Sequence, residues 1–253
     1  MAHVVSFSNQ KGGVGKTTSC VNLAAYIAAS GYKVLLVDLD SQANATSALG
    51  VFDKKADNSI YTALCTGDIE PCIIKSGDCG FDFVPSSEDL TAAELELKDR
   101  DSREYVLKGV LSSIEGKYDY IFIDCAPSIN LLLVNALAAS DGVIIPLQCE
   151  YFALEGMNQL LNTVRLVKKH LNKDIEVEGV LLTMYSRTRL ALDVESHVRA
   201  LFKSAVFDTK IPRNIRLAEA PSFAKTINSY DDKCAGALAY KALAKEYISK
   251  RKE

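Results

Sequence analysis

Residues 9–18 read Asn-Gln-Lys-Gly-Gly-Val-Gly-Lys-Thr-Thr, which sets two lysines five positions apart in a run with three glycines. Glycine lets the backbone turn tightly enough for several amides to face one anion, and a helix starting directly after such a turn adds its positive N-terminal pole. That is the chemistry of phosphate binding. Gly12, Gly13, Val14 and Gly15 then supply the loop, Lys16 the charge on the β- and γ-phosphates, and Thr17 a hydroxyl for Mg2+, with Thr18 leading into the helix. The usual pattern G-x-x-x-x-G-K-T calls for glycine at position 10, where Gln10 stands, and it gives Lys11 no task.

Carboxylates occupy two further points. Asp124 closes the apolar run 118–124, where an anion is costly unless it is paired or faces a cation through water; it is the candidate to hold Mg2+ with Thr17. Asp38 and Asp40 close a second run, 33–40, and both have the ordinary alternative of capping the next helix. Pro212 and Asn214, in Ile-Pro-Arg-Asn, read by themselves as a turn after a strand.

For these residues to meet one ligand, the elements that carry them must end on a common edge. Val- and Ile-rich runs at 3–8, 33–40, 118–124, 142–146 and 177–184 read as strands buried on both faces, with one more around 81–84. Helical periodicity fills 17–30, 151–171 and 192–203, whereas 52–103 is the least regular stretch. Strand and helix in alternation predict an α/β fold, a mostly parallel twisted sheet with helices on both faces. Ligands of such sheets bind beyond the carboxyl ends of the strands, where the glycine loop, Asp40 and Asp124 all fall. No repeat, linker or low-complexity segment divides the 253 residues, so a single domain over 1–253 is expected.

Composition narrows the function classes. The chain is 48% hydrophobic and 24% charged, as globular chains are; it has no leader and no apolar run of membrane-spanning length, which argues against an exported or integral protein. Its seven cysteines form no CxxC pair, and Cys20, Cys125 and Cys149 lie in or beside apolar runs, fitting reduced thiols in a cytoplasm. Cys65, Cys72 and Cys79 recur every seven residues, but Gly67, Pro71 and Gly77 between them deny a common face for a metal. The net charge of −3 conceals an asymmetry: residues 1–150 carry 11 Lys and Arg against 20 Asp and Glu, and residues 151–253 carry 18 against 12. The basic second half fits either a polyanion-facing surface or solvated helix faces.

Over nearly its whole length the chain resembles the deviant Walker A ATPases, and within them the ParA/Soj partition family. The blocks that carry the likeness are residues 11–18, Asp-Leu-Asp-Ser-Gln-Ala-Asn-Ala-Thr at 38–46, Ile-Asp-Cys-Ala-Pro-Ser at 123–128, Gln-Cys-Glu-Tyr-Phe-Ala-Leu-Glu-Gly at 148–156, and Ile-Pro-Arg-Asn-Ile-Arg-Leu-Ala-Glu-Ala-Pro at 211–221. The resemblance implies ATP and Mg2+ as cofactors and slow hydrolysis of ATP. It makes Lys11 the family's second lysine, reaching across the interface of an ATP-bound homodimer to the phosphates of the other subunit. An extra fixed cation on a transferring phosphoryl group is worth about 10³–10⁵ in rate in comparable enzymes. Asp124 becomes the Walker B carboxylate, Asp40 the group that positions the attacking water, residues 42–46 a switch, and Pro212 and Asn214 neighbours of the adenine. Two departures stand out: Ser41 and Ala126 replace prolines usual in the family, and neither removes a catalytic group.

The same likeness points Arg187, Arg189 and Arg216 at double-stranded DNA, gripped without reading sequence, with a ParB-type protein as the partner that stimulates hydrolysis and the nucleoid as the location. Each arginine has the plain alternative of a solvated charge. Strand 1 begins at residue 3, so no N-terminal helix-turn-helix domain is expected. The competing reading is a membrane-cycling ATPase of the MinD kind. It fits less well, because position 10 is Gln and the last helical stripe is mostly alanine and tyrosine, poor membrane anchors that suit core packing. No stable membrane association is expected. An iron protein of nitrogenase type would need cluster cysteines, and Cys125 lies in the Walker B turn itself.

Overall fold

The computed structural model describes residues 1–52, 58–75, 79–150 and 153–251. Six strands form where the β-branched and aromatic residues gather: β1 (His3–Phe7), β2 (Val34–Leu39), β3 (Asp82–Val84), β4 (Tyr120–Cys125), β5 (Gly142–Gln148) and β6 (Glu176–Thr183). They lie in the order β3-β2-β4-β1-β5-β6, and every ladder is parallel. Because consecutive side chains point to opposite faces, each strand feeds two cores, and both faces need cover.

The helices provide it. In chain order they are α1 (Lys16–Ala29), α2 (Asn44–Ala48), α3 (Ile60–Thr66), α4 (Leu90–Leu97), α5 (Val106–Ser112), α6 (Leu131–Ala139), α7 (Ala153–His170), α8 (Arg189–Phe202), α9 (Ile215–Glu219), α10 (Ile227–Tyr230) and α11 (Ala235–Lys250). Helices α3 to α8 pack on one face, over Val37, Ile121, Ile123, Val143 and Ile145. On the other, α1, α2, α9, α10 and α11 cover Val5, Phe7, Leu36, Phe122 and Ile144. The alanine and tyrosine stripe of α11 is core: Ala237, Tyr240, Leu243, Ala244 and Tyr247 are buried, and Tyr240 shares a 3.0 Å hydrogen bond with Ser19 of α1. Among the described residues no helix is long and apolar enough to cross a membrane.

Register lines up the chemistry. Phe7 and Asp38 are both paired with Asp124, so the exits of β1, β2 and β4 stand side by side at one edge of the sheet. The expected strand 142–146 runs on to Gln148 through Pro146. Proline is tolerated there because β1 pairs with β5 only as far as Ile144; beyond that point the Pro146 carbonyl accepts the Asn9 side-chain amide at 2.7 Å. The helix expected from 192 starts earlier, at Arg189, because the Thr188 hydroxyl accepts the amide of Ala191 and caps it. Residues 151 and 152, the expected start of the 151–171 helix, lie outside the described residues.

Candidate nucleotide site

The loop from β1 to α1 is shaped by two left-handed glycines, Gly13 at φ 73° and Gly15 at φ 84°. Gly15 is the N-cap of α1 and offers no side chain, so the first amides of this fourteen-residue helix are left for an anion. Val14 is buried beneath the loop, and its carbonyl accepts the Thr183 hydroxyl at 2.7 Å, which ties the loop to the end of β6.

Two connected cavities flank the loop. The first, of about 470 Å³, is lined among others by Gly12, Gly13, Lys16, Thr17, Asp40 and Pro127. The second, of about 400 Å³, lies between Gly15 and Thr18 on one side and Met184, Pro212, Asn214 and Tyr240 on the other. Gly15, Thr18 and Met184 belong to both. A cavity over a helix N-terminus, with Lys16, Thr17 and Asp40 on its wall, beside a more apolar one matches a polyphosphate joined to a flat base. Pro212 reaches this position because Tyr185 and Pro212 form a parallel bridge, and Asn214 caps α9 by accepting the amide of Arg216 at 3.0 Å.

Lys16 is only 7% exposed, and its Nζ donates to the carbonyl of Lys11 at 3.2 Å. Burial lowers its pKa, against the pull of Asp124, Cys125 and Asp40. Lys11 behaves differently: its ammonium turns to the carboxylate of Glu150 in the same subunit, with which it forms a salt bridge. The two lysines therefore serve different places.

Three aspartates converge on the same edge. Asp38 is fully buried and committed: Oδ2 accepts the Thr46 amide at 2.8 Å and its hydroxyl at 2.7 Å, and Oδ1 accepts the Asp40 amide at 3.2 Å. Burial pushes its pKa up to about 6 despite these bonds. Asp40 accepts the Gln42 amide at 3.0 Å, while the N-cap of α2 is Ala43 at φ 52°. The helix-capping alternative therefore falls to Asp38, which takes the first-turn amide of Thr46 in α2, and not to Asp40. Asp124 is the unusual member, 1% exposed with neither oxygen in a hydrogen bond. Burial, then the charge of Asp38, holds its pKa well above the usual carboxylate range; the Thr17 hydroxyl is near enough to offset this in part without reaching hydrogen-bond geometry.

An orphaned buried carboxylate beside a threonine hydroxyl is what a hard divalent cation would satisfy. Among the described residues no group of three His, Cys, Asp or Glu could hold an ion alone. The residues thus fit Mg2+, which takes few protein ligands and completes its shell with phosphate oxygens and water.

The candidate arginines divide. Arg187 and Arg189 are exposed, the latter opening α8. Arg216, on α9, is engaged by Glu219 at 2.8 Å and Asp231 at 3.6 Å. The Tyr185–Pro212 bridge brings the loop of Arg187 alongside the turn before Arg216. Sequence reasoning gave no part to Asn9 and Thr183, small polar residues whose partners Pro146 and Val14 are distant in the chain, and it placed Thr46 in the 42–46 segment without its bonds to Asp38 and to the amide of Ser86. It also gave no part to Glu150, although Glu150 lies in a block quoted for the family.

Residues 2–177 match a family model described as an AAA domain. The sporulation initiation inhibitor protein Soj of Bacillus subtilis is 51% identical over 248 residues, covering 97% of this chain and 98% of that protein. The chromosome partitioning protein ParA of Myxococcus xanthus is 47% identical over 252 residues, covering 99% and 89%. A solved structure of cobyrinic acid a,c-diamide synthase from Mycobacterium smegmatis, with bound ATP analog and magnesium, is similar at TM-score 0.87 and 36% identity, covering all of this chain and 97% of that one. With the phosphate loop, the parallel sheet and relatives matched from end to end, the chain belongs to the Soj/ParA family of P-loop ATPases.

Proposed function

We propose that this chain, acting as a single ATPase domain, is a Mg2+-dependent partition ATPase whose ATP-bound dimer binds double-stranded DNA without sequence preference. Hydrolysis, slow alone and stimulated by a ParB-type partner, resets it. In this reading Thr17 and, through water, Asp124 would hold Mg2+, which would supply charge compensation to the phosphates. Residues 12–18 bind the phosphates, Lys16 neutralises them, Asp40 orients the attacking water, and Pro212 and Asn214 flank the base.

One observation carries the reading: Lys11 is kept out of its own phosphate cavity while Lys16 lines it. A cation on the rim of one subunit is available to the phosphates of another, so nucleotide occupancy controls association. Arg187, Arg189 and Arg216 then form the DNA-facing charge, and the nucleoid is where the ATP form resides. A membrane-cycling mode finds no support in α11, whose apolar stripe is buried against α1.

Gel filtration with ADP and with ATP tests this on the wild type and on Lys11→Ala. ATP should produce a dimer only in the wild type; an ATP dimer of Lys11→Ala would remove Lys11 from the interface. Pelleting with DNA but not with liposomes, in ATP alone, is the expected companion result.

A further inference from the structure

Glu150 stands two residues beyond β5, its amide on the carbonyl of Gln148 at 2.8 Å. From there its Oε2 accepts the Lys11 ammonium, the two side chains being 47% and 38% exposed. The loop is fastened to β5 a second time: Asn9 donates to the Pro146 carbonyl at 2.7 Å, and its Oδ1 accepts the Lys11 amide at 3.0 Å. The backbone of Lys11 is thus held through Asn9, and the ammonium alone has freedom to change partners.

We infer that Glu150 is a positioning residue for Lys11, holding its ammonium at the rim of its own subunit and yielding it to the phosphates of a second copy. The inference rests on the proposed role of Lys11 in trans. A carboxylate carries one negative charge and a triphosphate several, so the exchange favours the neighbour only when a charged nucleotide is present there. Glu150 therefore raises the protein concentration at which the ATP dimer forms and suppresses association without nucleotide. A half-exposed pair can be outcompeted, which a buried one could not.

Glu150→Gln removes the charge and keeps the size at an exposed position. Sedimentation velocity in a non-hydrolysable ATP analogue compares wild type, Glu150→Gln, Lys11→Ala and the double variant. At low salt Glu150→Gln should dimerise at a concentration about two- to fivefold lower than wild type, a gain that shrinks as salt is raised. The double variant should stay as monomeric as Lys11→Ala. The inference is overturned if Glu150→Gln dimerises no more readily than wild type, or if it restores dimers in the absence of Lys11. Monomeric Lys11→Ala with an unshifted Glu150→Gln would sink Glu150 alone; wild-type dimers from Lys11→Ala would sink the role of Lys11, and Glu150 with it.

Discussion

At Gly12 a Cβ would meet no atom within 4 Å, and the backbone there is not left-handed; Gly15, by contrast, needs φ 84°. A side chain at position 12 therefore starts into open space in the fold of its own subunit, and Gly12→Val should change stability by less than about 0.5 kcal/mol. If two subunits close over the phosphates, the same side chain should block the ATP dimer; a normal dimer would contradict that close approach. Asp124 allows a prediction of opposite character. Its carboxyl group is buried without a hydrogen bond and beside Asp38, so Asp124→Asn, which keeps the shape and removes the ionisable group, should stabilise the nucleotide- and Mg2+-free protein by about 1–3 kcal/mol while abolishing ATP turnover. Urea unfolding without Mg2+ measures the first effect. A destabilised variant would mean that the carboxylate is satisfied in some other way.

Among the elements, α8 is fastened by one buried carboxylate. Glu195, 8% exposed, accepts Tyr185 and Lys210 at 2.6 Å and Arg199 at 2.9 Å, joining the exit of β6 to the segment that leads into Pro212. Burial would raise its pKa, but the hydrogen bonds from Lys210, Tyr185 and Arg199 outweigh it and bring it to about 2. A pKa below the unfolded value of about 4.3 gives stability that is present above that pH and lost as pH falls towards 2. Glu195→Gln should thus cost about 2 kcal/mol at pH 7, and the difference from wild type should close between about pH 4.3 and 2. A deficit that ignores pH would mean the ion pairs contribute nothing. The strands were legible because runs such as Val-Leu-Leu-Val at 34–37 are buried on both faces. Several helices were not: α6 is Leu-Leu-Leu-Val-Asn-Ala-Leu-Ala-Ala, apolar all round and without a period, and α9 is only five residues long. Residues 11–18 announced themselves because they are contiguous. Glu150 reaches Lys11 across 139 positions, a pairing that no local spacing encodes.

For the whole molecule, the excess of basic residues in the second half would become, under the proposed function, a surface that matters only in the dimer. DNA retention in ATP should fall with salt, each phosphate contact steepening the log-log slope by about 0.9, and Arg187→Glu should lower both affinity and slope while sparing nucleotide-dependent dimers. Loss of dimers in that variant would make Arg187 a folding residue. The central claim, that each subunit completes the other's site, is tested most directly by mixing two defective chains. Lys11→Ala keeps its own phosphate loop but has no cation to lend, whereas Lys16→Ala has a damaged loop but still carries Lys11. Each alone should be inactive; mixed in ATP and Mg2+, they should regain turnover at the Lys11→Ala site that neither has by itself. If the mixture hydrolyses ATP no faster than the two chains measured separately, Lys11 does not act across an interface.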